Sequence, residues 1–582
     1  MKVYSPVIDI RLIKTVRRKQ FVTGVDAAHD RYSMLDGINL FDFIGEGGGI
    51  QTRKSVREPA GAFSITLADK AHPKLLESLY ALIEPMDVVE IRMRHGAGTY
   101  HEDSASAEAF SKLNAESDAL HAEYMAAKDK ADAFVDQGLH AYSQYEETGN
   151  QQYLEQAKAY RQRAVDAYDA ADKKYKPLIE AMDRKLRDAG KKVFKSSAPK
   201  LVMRGIVSNV SRSETVAGGK PVRTVVITGQ DYGKVLQTLQ LYYLSNSVVG
   251  VDVLSEFNFF QKYADASDAK IKSASDFVRD VVRKVLNPYL SRMLGLAQGA
   301  SIGVNVAKEF IAVPSIAGEI SPDSVCSYVN VSLDAMLRSA LDVGAFNEMY
   351  VEDTETAVRL VVRPIPFRRA GTNEYIQAGA SADEVVIPSE DVVALNVSRC
   401  DSGVYNYYWV VDNRWSMLNN EAAKSFAQYG EAGSYMMMDV ENCAAATYGF
   451  RKLEVPIVLG GEGFTNSDAI SEKAMPTETR KLASWMDSRR ATLADLNKDN
   501  ILFESGTIRI RGNESIRAGM YVTISRGNGV KSSYYVVAVS HEFVPFEGFY
   551  STLNVERGTG FVERGRLAEA VYRREIDGRG VV

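Results

Sequence analysis

The sequence predicts an α+β fold in which two antiparallel β-barrels carry helical insertions, one of them a long antiparallel helical hairpin. Three observations predict it. Apolar and polar residues alternate along many short segments, which is typical of half-buried strands with one wet face. A set of four such segments occurs twice in the same order, and the spacing of apolar residues becomes helical between residues 99 and 196.

The internal repeat is the most informative feature of the chain. In each copy, a strand that could line a surface is followed by one that a polar or Gly turn introduces. A strand that opens on small or polar residues comes next, and an alternating strand ends the set. Two similar barrels in each chain suggest that three copies of the chain form a ring with approximate six-fold symmetry. The first copy comprises Ala60–Leu67, Asp87–Met93, Arg204–Val210 and Arg223–Gly229, and the second Val392–Ser398, Ala518–Ile524, Tyr534–His541 and Tyr550–Arg557.

Length and composition indicate a folded protein of several domains. At 582 residues the chain is too long for one core, and about three to five domains are expected. The hydrophobic content of 45% and charged content of 25% are ordinary for such proteins. A net charge of −5 gives no electrostatic reason to bind nucleic acid. Without a secretory signal or a stretch of about 18 apolar residues, the chain is expected to fold in the cytosol.

The three cysteines give no sign of a metal or redox site. Cys326, Cys400 and Cys443 are too widely spaced for a metal knuckle or a redox pair. We expect them to be small buried hydrophobes in a reducing compartment.

The helical region carries two apolar seams with steps of three and four residues. Gly149 ends the first arm, and Pro177 is expected to kink or interrupt the second. At ~1.5 Å per residue the hairpin would reach on the order of 60 Å. The seams run through Phe110, Leu113, Ser117, Leu120, Tyr124, Ala127, Ala131 and Phe134, and through Ala157, Tyr160, Ala164, Ala167, Ala171, Tyr175, Leu178, Met182 and Leu186.

These patterns divide the chain into barrels and insertions. Because the two arms have similar lengths, the hairpin would return the chain to its starting point between two strands. The predicted domains are a first barrel (1–98 and 197–234), the inserted hairpin (99–196), a mostly helical connection (235–345), a second barrel (346–403 and 501–565), a mixed insertion (404–500) and a C-terminal tail (566–582).

The order of the motifs resembles one known family. In the first half the matching residues are Arg204–Val207 and Val225–Lys234. In the second half they are Val397–Tyr407, Tyr448–Arg451, Gly506–Gly519, Tyr535–His541 and Thr552–Gly558. Together these motifs resemble the baseplate hub proteins of contractile-tailed bacteriophages, over most of the chain except 99–196.

The resemblance implies a structural protein of the virion tail, assembled in the host cytoplasm. Each subunit of a homotrimer would contribute two tail-tube-like barrels to a pseudo-hexameric collar. That collar would join the hexameric tail tube above to the trimeric central spike below. It would enclose the C-terminus of the tape-measure protein and a channel through which DNA passes without specific binding, with no stable membrane insertion. The resemblance leaves the role of the hairpin open, and we expect the hairpin to contact a baseplate wedge or a neighbouring tail protein.

Motifs that suggest chemistry have simpler structural interpretations. Gly45–Thr52 lacks the Lys-Ser/Thr pair of a phosphate loop, so we expect a flexible loop at a barrel rim. His95 and His101 lie near Glu102 and Asp103, but nothing fixes a metal geometry, and a polar junction at the base of the hairpin is expected. Met436–Met438 fits either a contact surface or core packing.

We therefore predict no catalytic, cofactor-binding or metal-binding residue and no enzymatic activity. Two alternatives remain from the sequence. One is a peptidoglycan hydrolase, whose paired carboxylates could lie only within 404–500. The other is a receptor-binding tail component, although the repetitive sequences of tail fibres are missing.

Overall fold

The chain divides into two compact units, Gly96–Pro199 and the remainder. The computed structural model describes residues 6–14, 38–45, 47–69, 78–95, parts of 112–147, 148–193, 199–217, 220–241, 272–293, 307, 309–320, 331–355, 357–372, 374–412, 435–438, 440–460, 475–526 and 530–560. The predicted C-terminal tail, Cys326, His101, Glu102 and Asp103 lie outside them.

All of the described strands belong to the larger unit. They are β1 (Val7–Ile13), β2 (Ile38–Asn39), β3 (Gly49–Ser55), β4 (Ala62–Ala68), β5 (Val88–Arg94), β6 (Lys200–Ala217), β7 (Lys220–Asp231), β8 (Gln240–Leu241), β9 (Lys272–Ser273), β10 (Phe310–Pro314), β11 (Glu319–Ile320), β12 (Val331–Ser332), β13 (Asn347–Asp353), β14 (Val358–Pro364), β15 (Glu384–Ile387), β16 (Val392–Ser398), β17 (Tyr407–Asp412), β18 (Tyr435–Met437), β19 (Lys452–Ile457), β20 (Glu504–Arg511), β21 (Tyr521–Arg526), β22 (Val530–Val544) and β23 (Gly548–Gly558).

The helices are fewer and mostly short. They are α1 (Leu79–Leu82), α2 (Gln151–Val193), α3 (Gly233–Thr238), α4 (Ala274–Val281), α5 (Asn287–Met293), α6 (Leu333–Ala340), α7 (Ala445–Tyr448) and α8 (Met475–Asn497). A π-helical segment, Val282–Leu286, joins α4 to α5.

Both predicted strand sets lie in one sheet. Among the described residues thirteen strands form a mostly antiparallel sheet, whose main path is β16-β20-β23-β22-β3-β4-β7-β6-β5-β1-β2, with β21 and β15 branching from β22. The prediction that the two sets form separate sheet systems is therefore wrong. The reason is the length of β22, which pairs with β21 and β23 and also offers Ala538–Phe543 to β3.

The two sets nevertheless share one spatial order. We number the four strands of each copy in sequence order. In the sheet, the strands of the first set then lie side by side in the order first, fourth, third, second (β4-β7-β6-β5). The second set reads the same way (β16-β23-β22-β21), with β20 placed between its first and fourth strands.

The segment 346–364 belongs to another sheet than the one we predicted. We assigned it to the second barrel, but β13 and β14 form a three-stranded sheet with β10, which is parallel to β14. The reason is that alternation identifies a strand and its buried face without specifying which strand it pairs with.

A helical layer packs against this three-stranded sheet. The apolar faces of α4, α5 and α6 share one core with β10, β13 and β14, and Phe277, Leu290 and Leu337 are fully buried in it. The prediction that 235–345 is mostly helical is therefore only partly right, since the described part of this segment also contains β8 to β12.

Within 404–500 the chain forms a small sheet covered by a helix. β17 pairs with β18 and β19, and α8 packs on the inner face through Met486 and Leu493, next to Tyr408 and Val410. This segment lies in the sequence between β16 and β20, which are hydrogen-bonded neighbours.

The smaller unit is helical in nearly all of its described residues; Gly149, Asn150 and Pro199 are the exceptions among them. Helix α2 spans 43 residues, and the described residues between 112 and 148 are also helical. The rings of Tyr124 and Tyr175 lie 5.8 Å apart. Pro177 does not interrupt α2, since a proline removes only one of its many backbone hydrogen bonds. Leu178, which we placed in the seam, is 49% exposed.

Candidate functional site: the open face of the large sheet

Alternation along the strands gives the large sheet a buried face and an open face. The side chains of Ile50, Ile65 and Ile227 lie opposite one another on β3, β4 and β7 and are buried. One residue further along these strands the side chains are polar and point away from the core. The same alternation continues through β22, β23 and β20, so the open face includes strands of both sets.

The open face is rich in hydroxyl and amide side chains. Its members share two properties: they are at least partly exposed, and they stand opposite one another across successive strands. They are Gln51, Arg53, Ser64, Thr66, Asn209, Ser211, Val226, Thr228, Gln230, Asn396, Thr507, Arg509, Ser540, Glu542, Thr552 and Asn554.

The few charged side chains of the open face have partners. Arg53 lies 2.8 Å from Glu58, and Arg509 lies 3.7 Å from Glu542. The Arg509 guanidinium also stacks over the ring of Tyr550, at 4.5 Å from its centroid. Exposed pairs of this kind add little stability, but they neutralise the surface. The open face therefore has little net positive charge with which to attract a polyanion.

Beneath the open face a buried lysine joins the first strand set to the three-stranded sheet. The Nζ of Lys54 lies 3.0 Å from a carboxylate oxygen of Asp231 and 2.5 Å from one of Asp353. Burial alone would lower the pKa of Lys54, but the two carboxylates outweigh it and raise that pKa. Lys54 therefore stays charged, and its two partners hold β3, β7 and β13 together.

A buried arginine reinforces this junction. The Arg204 side chain donates to Glu90 at 2.8 Å and to the carbonyl oxygens of Thr354 and Glu355 at 2.7 and 2.8 Å. Its backbone N–H donates to Asp353 at 3.0 Å. Removing either charge of such a pair would leave the other uncompensated in a low-dielectric interior.

A second buried junction joins the three-stranded sheet to the second strand set. The Arg363 guanidinium donates to Glu348 at 2.6 Å and to the carbonyl oxygen of Gly519 at 2.6 Å. Tyr535 on β22 donates to the other oxygen of Glu348 at 2.5 Å. Burial raises the pKa of Glu348, while Arg363 and Tyr535 act against that rise. The sheet of β10, β13 and β14 is thus tied to both strand sets.

A cavity of about 40 Å³ lies where these elements meet. Its lining includes Lys54, Glu352, Arg517 and His541, and Arg517 is ion-paired with Glu352 at 2.8 Å. Small-molecule sites usually enclose several hundred Å³. This cavity therefore has room for at most a few water molecules.

The glycine-rich segment forms a turn that leads into a strand. Gly47 has φ +79°, and β3 begins at Gly49, where a phosphate loop would lead into a helix. An added Cβ on Gly48 would lie 2.8 Å from the carbonyl oxygen of Thr66. These glycines therefore allow a close approach of two chain segments.

Of the predicted polar junction near residue 95, the structure describes only His95. Its backbone N–H donates to Glu514 at 3.2 Å, and its ring lies 6.3 Å from that of Phe549. Burial lowers the pKa of His95, an effect that Glu514 and Asp391 oppose. Within the described part of the chain, no cluster of three or more His, Cys, Asp or Glu residues could hold a metal ion.

The remaining sequence candidates are divided between core and surface. Met437 is exposed, whereas Met438 packs against the core beneath β17. Cys443 is buried as predicted, but Cys400 is exposed and caps the 3-10 turn that follows β16. In the described segments no helix has the length and apolar character needed to cross a membrane.

Sequence reasoning missed the buried ion pairs. The only local signal was a charged residue at a position that alternation assigns to the buried face, such as Lys54 on β3 or Glu348 on β13. An inward-facing charge requires a partner. That rule could have identified the positions, although not their partners.

No protein-family model matches the sequence, and a comparison with curated proteins gives no match either. Among solved structures, the chain is similar to a tail protein from Neisseria meningitidis, with a TM-score of 0.39, 7% identity and coverage of 95% of this chain and 96% of that one. It is also similar to the 43 kDa tail protein of prophage MuSo2 from Shewanella oneidensis, with a TM-score of 0.38, 8% identity and coverage of 95% and 98%.

A third similar structure is an E. coli component of the type VI secretion system that is described as structurally similar to the T4 bacteriophage tail proteins gp27 and gp5. Its TM-score is 0.31 and its identity 6%, with coverage of 87% of this chain and 72% of that one. Because all three TM-scores lie below 0.5, the function of this chain has to be inferred from its own residues and geometry.

Proposed function

We propose that this chain is a structural protein of a phage tail and forms the hub of the baseplate. Three copies would build a pseudo-hexameric collar between the hexameric tail tube and the trimeric spike, with the end of the tape-measure protein inside. One observation carries the proposal: two strand sets of the same spatial order lie in one continuous sheet.

That observation supports a trimer through symmetry. A chain with two equivalent strand sets presents two equivalent positions, and three such chains present six. A hexameric tube could then rest on a trimer with similar contacts all round. Closed cyclic symmetry also leaves no free interface for unlimited growth.

The open face suits the wall of a DNA channel. Sequence-independent DNA binding depends on unpaired Lys and Arg side chains that displace counterions from phosphates. On the open face Arg53 and Arg509 are paired with carboxylates, and most other members are neutral. DNA could therefore slide along such a surface without being held by it.

The helical unit, 96–199, is the proposed contact for another baseplate protein. It is compact on its own, and its neighbours in the chain, Met93 and Lys200, are paired on adjacent strands. A unit inserted in this way leaves the strand order of the sheet unchanged.

Native mass spectrometry of the purified full-length chain tests the assembly. We expect a trimer that persists on dilution to low micromolar concentration. A stable hexamer, or a monomer throughout that range, would contradict the hub. Electron microscopy of purified tails should then locate the trimer between tube and spike, whereas a position on peripheral fibres would favour a receptor-binding component.

A further inference from the structure

The junction beneath the open face brings one lysine into contact with two carboxylates. The Nζ of Lys54 is buried and lies 2.5 Å from a carboxylate oxygen of Asp353 and 3.0 Å from one of Asp231. The aspartate side chains are only 1% and 2% exposed. Among the described residues Lys14, which is also buried, contacts one carboxylate, that of Asp87, at 2.6 Å. Lys54 therefore has a second acidic group beside the first, which a simple ion pair does not require.

The fold holds these three side chains in fixed positions. Asp231 ends β7, and the oxygen that does not contact Lys54 accepts the N–H of Gly233 at 2.9 Å. Gly61 packs directly against the contact, since an added Cβ there would lie 2.8 Å from the other Asp231 oxygen and 3.0 Å from the Lys54 side chain. Groups that a fold holds in contact react as if they were present at very high concentration. Their proximity therefore favours a condensation that water opposes between free molecules.

Asp353 is arranged as the group that a nucleophile would attack. Its Oδ2, which contacts Lys54, also accepts the backbone N–H of Arg204 at 3.0 Å. An N–H in that position stabilises the negative charge that the oxygen acquires when a nucleophile adds to its carbon. Lys54 and Asp353 both line the cavity of about 40 Å³, which has room for a released water molecule. The site therefore accommodates both the charge that develops and the molecule that leaves.

We propose that Lys54 and Asp353 condense to an isopeptide bond, with Asp231 as the residue that carries the protons. The product is a covalent link between β3, in the first strand set, and β13, in the three-stranded sheet. The bond forms within one chain and needs no cofactor, oxidant or second substrate. The inference does not depend on the proposed tail role.

The reaction removes one water molecule. One Nζ proton passes through Asp231 to Oδ1 of Asp353, which converts that carboxylate to a neutral carboxyl group. The Nζ lone pair then attacks Cγ of Asp353, and the electrons of the C=O bond move to Oδ2. A second Nζ proton passes through Asp231 to Oδ1, the Cγ–Oδ1 bond breaks as the C=O bond re-forms, and Oδ1 leaves as water. The third proton stays on the amide nitrogen, and Asp231 returns to its starting state.

The protonation of the three groups allows these transfers. Burial alone would lower the pKa of Lys54, but the two carboxylates outweigh it, so the amine is charged at rest. Burial raises the pKa of Asp231, although Lys54 opposes that rise, and Asp231 is thereby a better proton acceptor. Transfer of one proton removes two charges from a site where charges are costly. The neutral amine needs to form only briefly, because formation of the amide then traps it.

A covalent link at this junction would stabilise the fold through the unfolded state. It closes a loop from residue 54 to residue 353, and closing a long loop removes many conformations from the unfolded chain. An ion pair, in contrast, separates whenever its surroundings open. The linked chain should therefore resist unfolding more strongly than an unlinked one.

Mass spectrometry of the denatured full-length chain tests the bond. The purified wild-type protein should be lighter than its sequence by one water molecule. After digestion with trypsin, the peptide of residues 54–57 should be joined to that of residues 339–359. Full mass, or recovery of the two peptides separately, would overturn the proposal. A link from 54–57 to the peptide of residues 224–234 would also overturn it, because Asp231 would then be the group attacked.

Three variants test the role of each residue. Lys54→Arg keeps a cation but has no nucleophilic amine, so it should have full mass and a lower Tm than the wild-type protein. Asp231→Asn is similar in size but cannot carry the proton, and it should reduce the linked fraction at least tenfold. Lys14→Arg, at the buried lysine beside Asp87, is the matched control and should keep the wild-type loss of mass.

The variants also define what would contradict the mechanism. A loss of one water that persists in Lys54→Arg would show that it arises elsewhere in the chain. An unreduced linked fraction in Asp231→Asn would exclude Asp231 as the proton carrier. Circular dichroism establishes that each variant is folded, and the mass of the wild-type protein decides the existence of the bond even if a variant does not fold.

Discussion

At the residue scale, buried charges constrain this protein most. Lys54 holds Asp231 and Asp353 together, and Arg204 and Arg363 connect other strands in the same way. Each of these cations was moved out of water together with its partner. The pair need not exceed a hydrophobic alternative in stability, but neither member can be removed alone without a large cost.

Lys54→Met should lower the free energy of unfolding by about 3–5 kcal/mol, because two buried carboxylates lose their cation. The neighbouring Arg53→Met is the matched control, since its ion pair with Glu58 is exposed and is expected to contribute less than about 1 kcal/mol. Denaturant unfolding of both variants measures the difference. Equal losses would show that the Lys54 junction is no stronger than a surface pair.

His541 should make the stability of the fold fall in mild acid. Burial lowers its pKa to about 4 from the usual 6.5, although a hydrogen bond to the backbone of Ile516 acts against that shift. Between pH 6.5 and pH 4 the unfolded chain therefore binds a proton that the folded chain does not. Stability is unaffected above pH 6.5, declines as the pH falls, and the loss of about 3 kcal/mol is complete below pH 4.

His541→Gln should remove this part of the pH dependence while the buried carboxylates still contribute theirs equally. The measurement is the free energy of unfolding at pH 7 and pH 4 for both proteins. The wild-type chain is expected to lose about 3 kcal/mol more than the variant. Identical losses would mean that His541 accepts a proton without unfolding.

At this scale the sequence predicted which side chains are buried better than which of them meet. Alternation is a local pattern, so the burial of Ile65 or Val539 follows from the residues beside them. The contact of Lys54 with Asp353 depends on the path of the intervening chain. No pattern around either residue identifies the other.

At the element scale, two glycines explain part of the first strand set. Gly205 on β6 and Gly229 on β7 both face the ring of Phe63 on β4. An added Cβ would lie 2.2 Å from a ring carbon at Gly205 and 2.3 Å from the carbonyl oxygen of Ile206 at Gly229. The obstacle is thus a side chain in the first case and the backbone in the second.

The two glycines should therefore differ in whether a second change rescues them. Gly205→Ala and Gly229→Ala should each cost about 1–3 kcal/mol by overpacking. Phe63→Leu should recover part of the loss for Gly205→Ala but little for Gly229→Ala, because the Ile206 carbonyl cannot move away. Thermal unfolding of the single and double variants tests this, and equal recovery would contradict it.

The helical unit should be dispensable for the sheet but needed for assembly. We expect that deletion of residues 104–194, bridged by a short Gly/Ser linker, leaves soluble trimers, because a unit with adjacent ends can be replaced at a small loop-closure cost. The baseplates should then be incomplete or less stable, as electron microscopy would reveal. Fully infectious particles would show that assembly does not need the unit. Insoluble protein would show that the sheet needs the unit to fold.

Periodicity predicted the presence of strands and helices more reliably than the elements against which they pack or pair. The strands of both copies occur within a few residues of their predicted positions, and Ala131, Ala164 and Ala171 are buried as the seam spacing indicates. β13 was assigned to the wrong sheet, because its alternation suits any partner. Leu178 was misplaced, since it lies on the exposed side of the helix.

At the scale of the whole molecule, the sequence favours a structural role over a catalytic one. No nucleophile–base pair or catalytic carboxylate spacing stands above the background of its many charged residues. We therefore expect zymography with the full-length chain on cell-wall material to show no clearing. Clearing that disappears on substitution of a single Glu or Asp would instead support the hydrolase.

The joining of the two strand sets lay beyond sequence reasoning. The repeat predicted two similar sets, and their common spatial order is compatible with that. Their union depends on β22, because β21 occupies one edge of it only over Val530–Tyr535 and leaves the same edge of Ala538–Phe543 to β3. The presence of a strand at β22 could be predicted from the sequence, but its pairing with the edge of β3 could not.

The pairing of β3 with β22 also affects how the chain is made. Arg57, just after β3, contacts Glu556 across a sequence separation of 499 residues. At about 5–20 residues per second a ribosome needs about 25–100 s to synthesise that distance. Throughout that time the nascent β3 edge lacks its partner, and an unpaired edge invites pairing with other chains. A polypeptide terminated before residue 530 would keep that edge permanently, so premature release yields an aggregation-prone fragment instead of a soluble half.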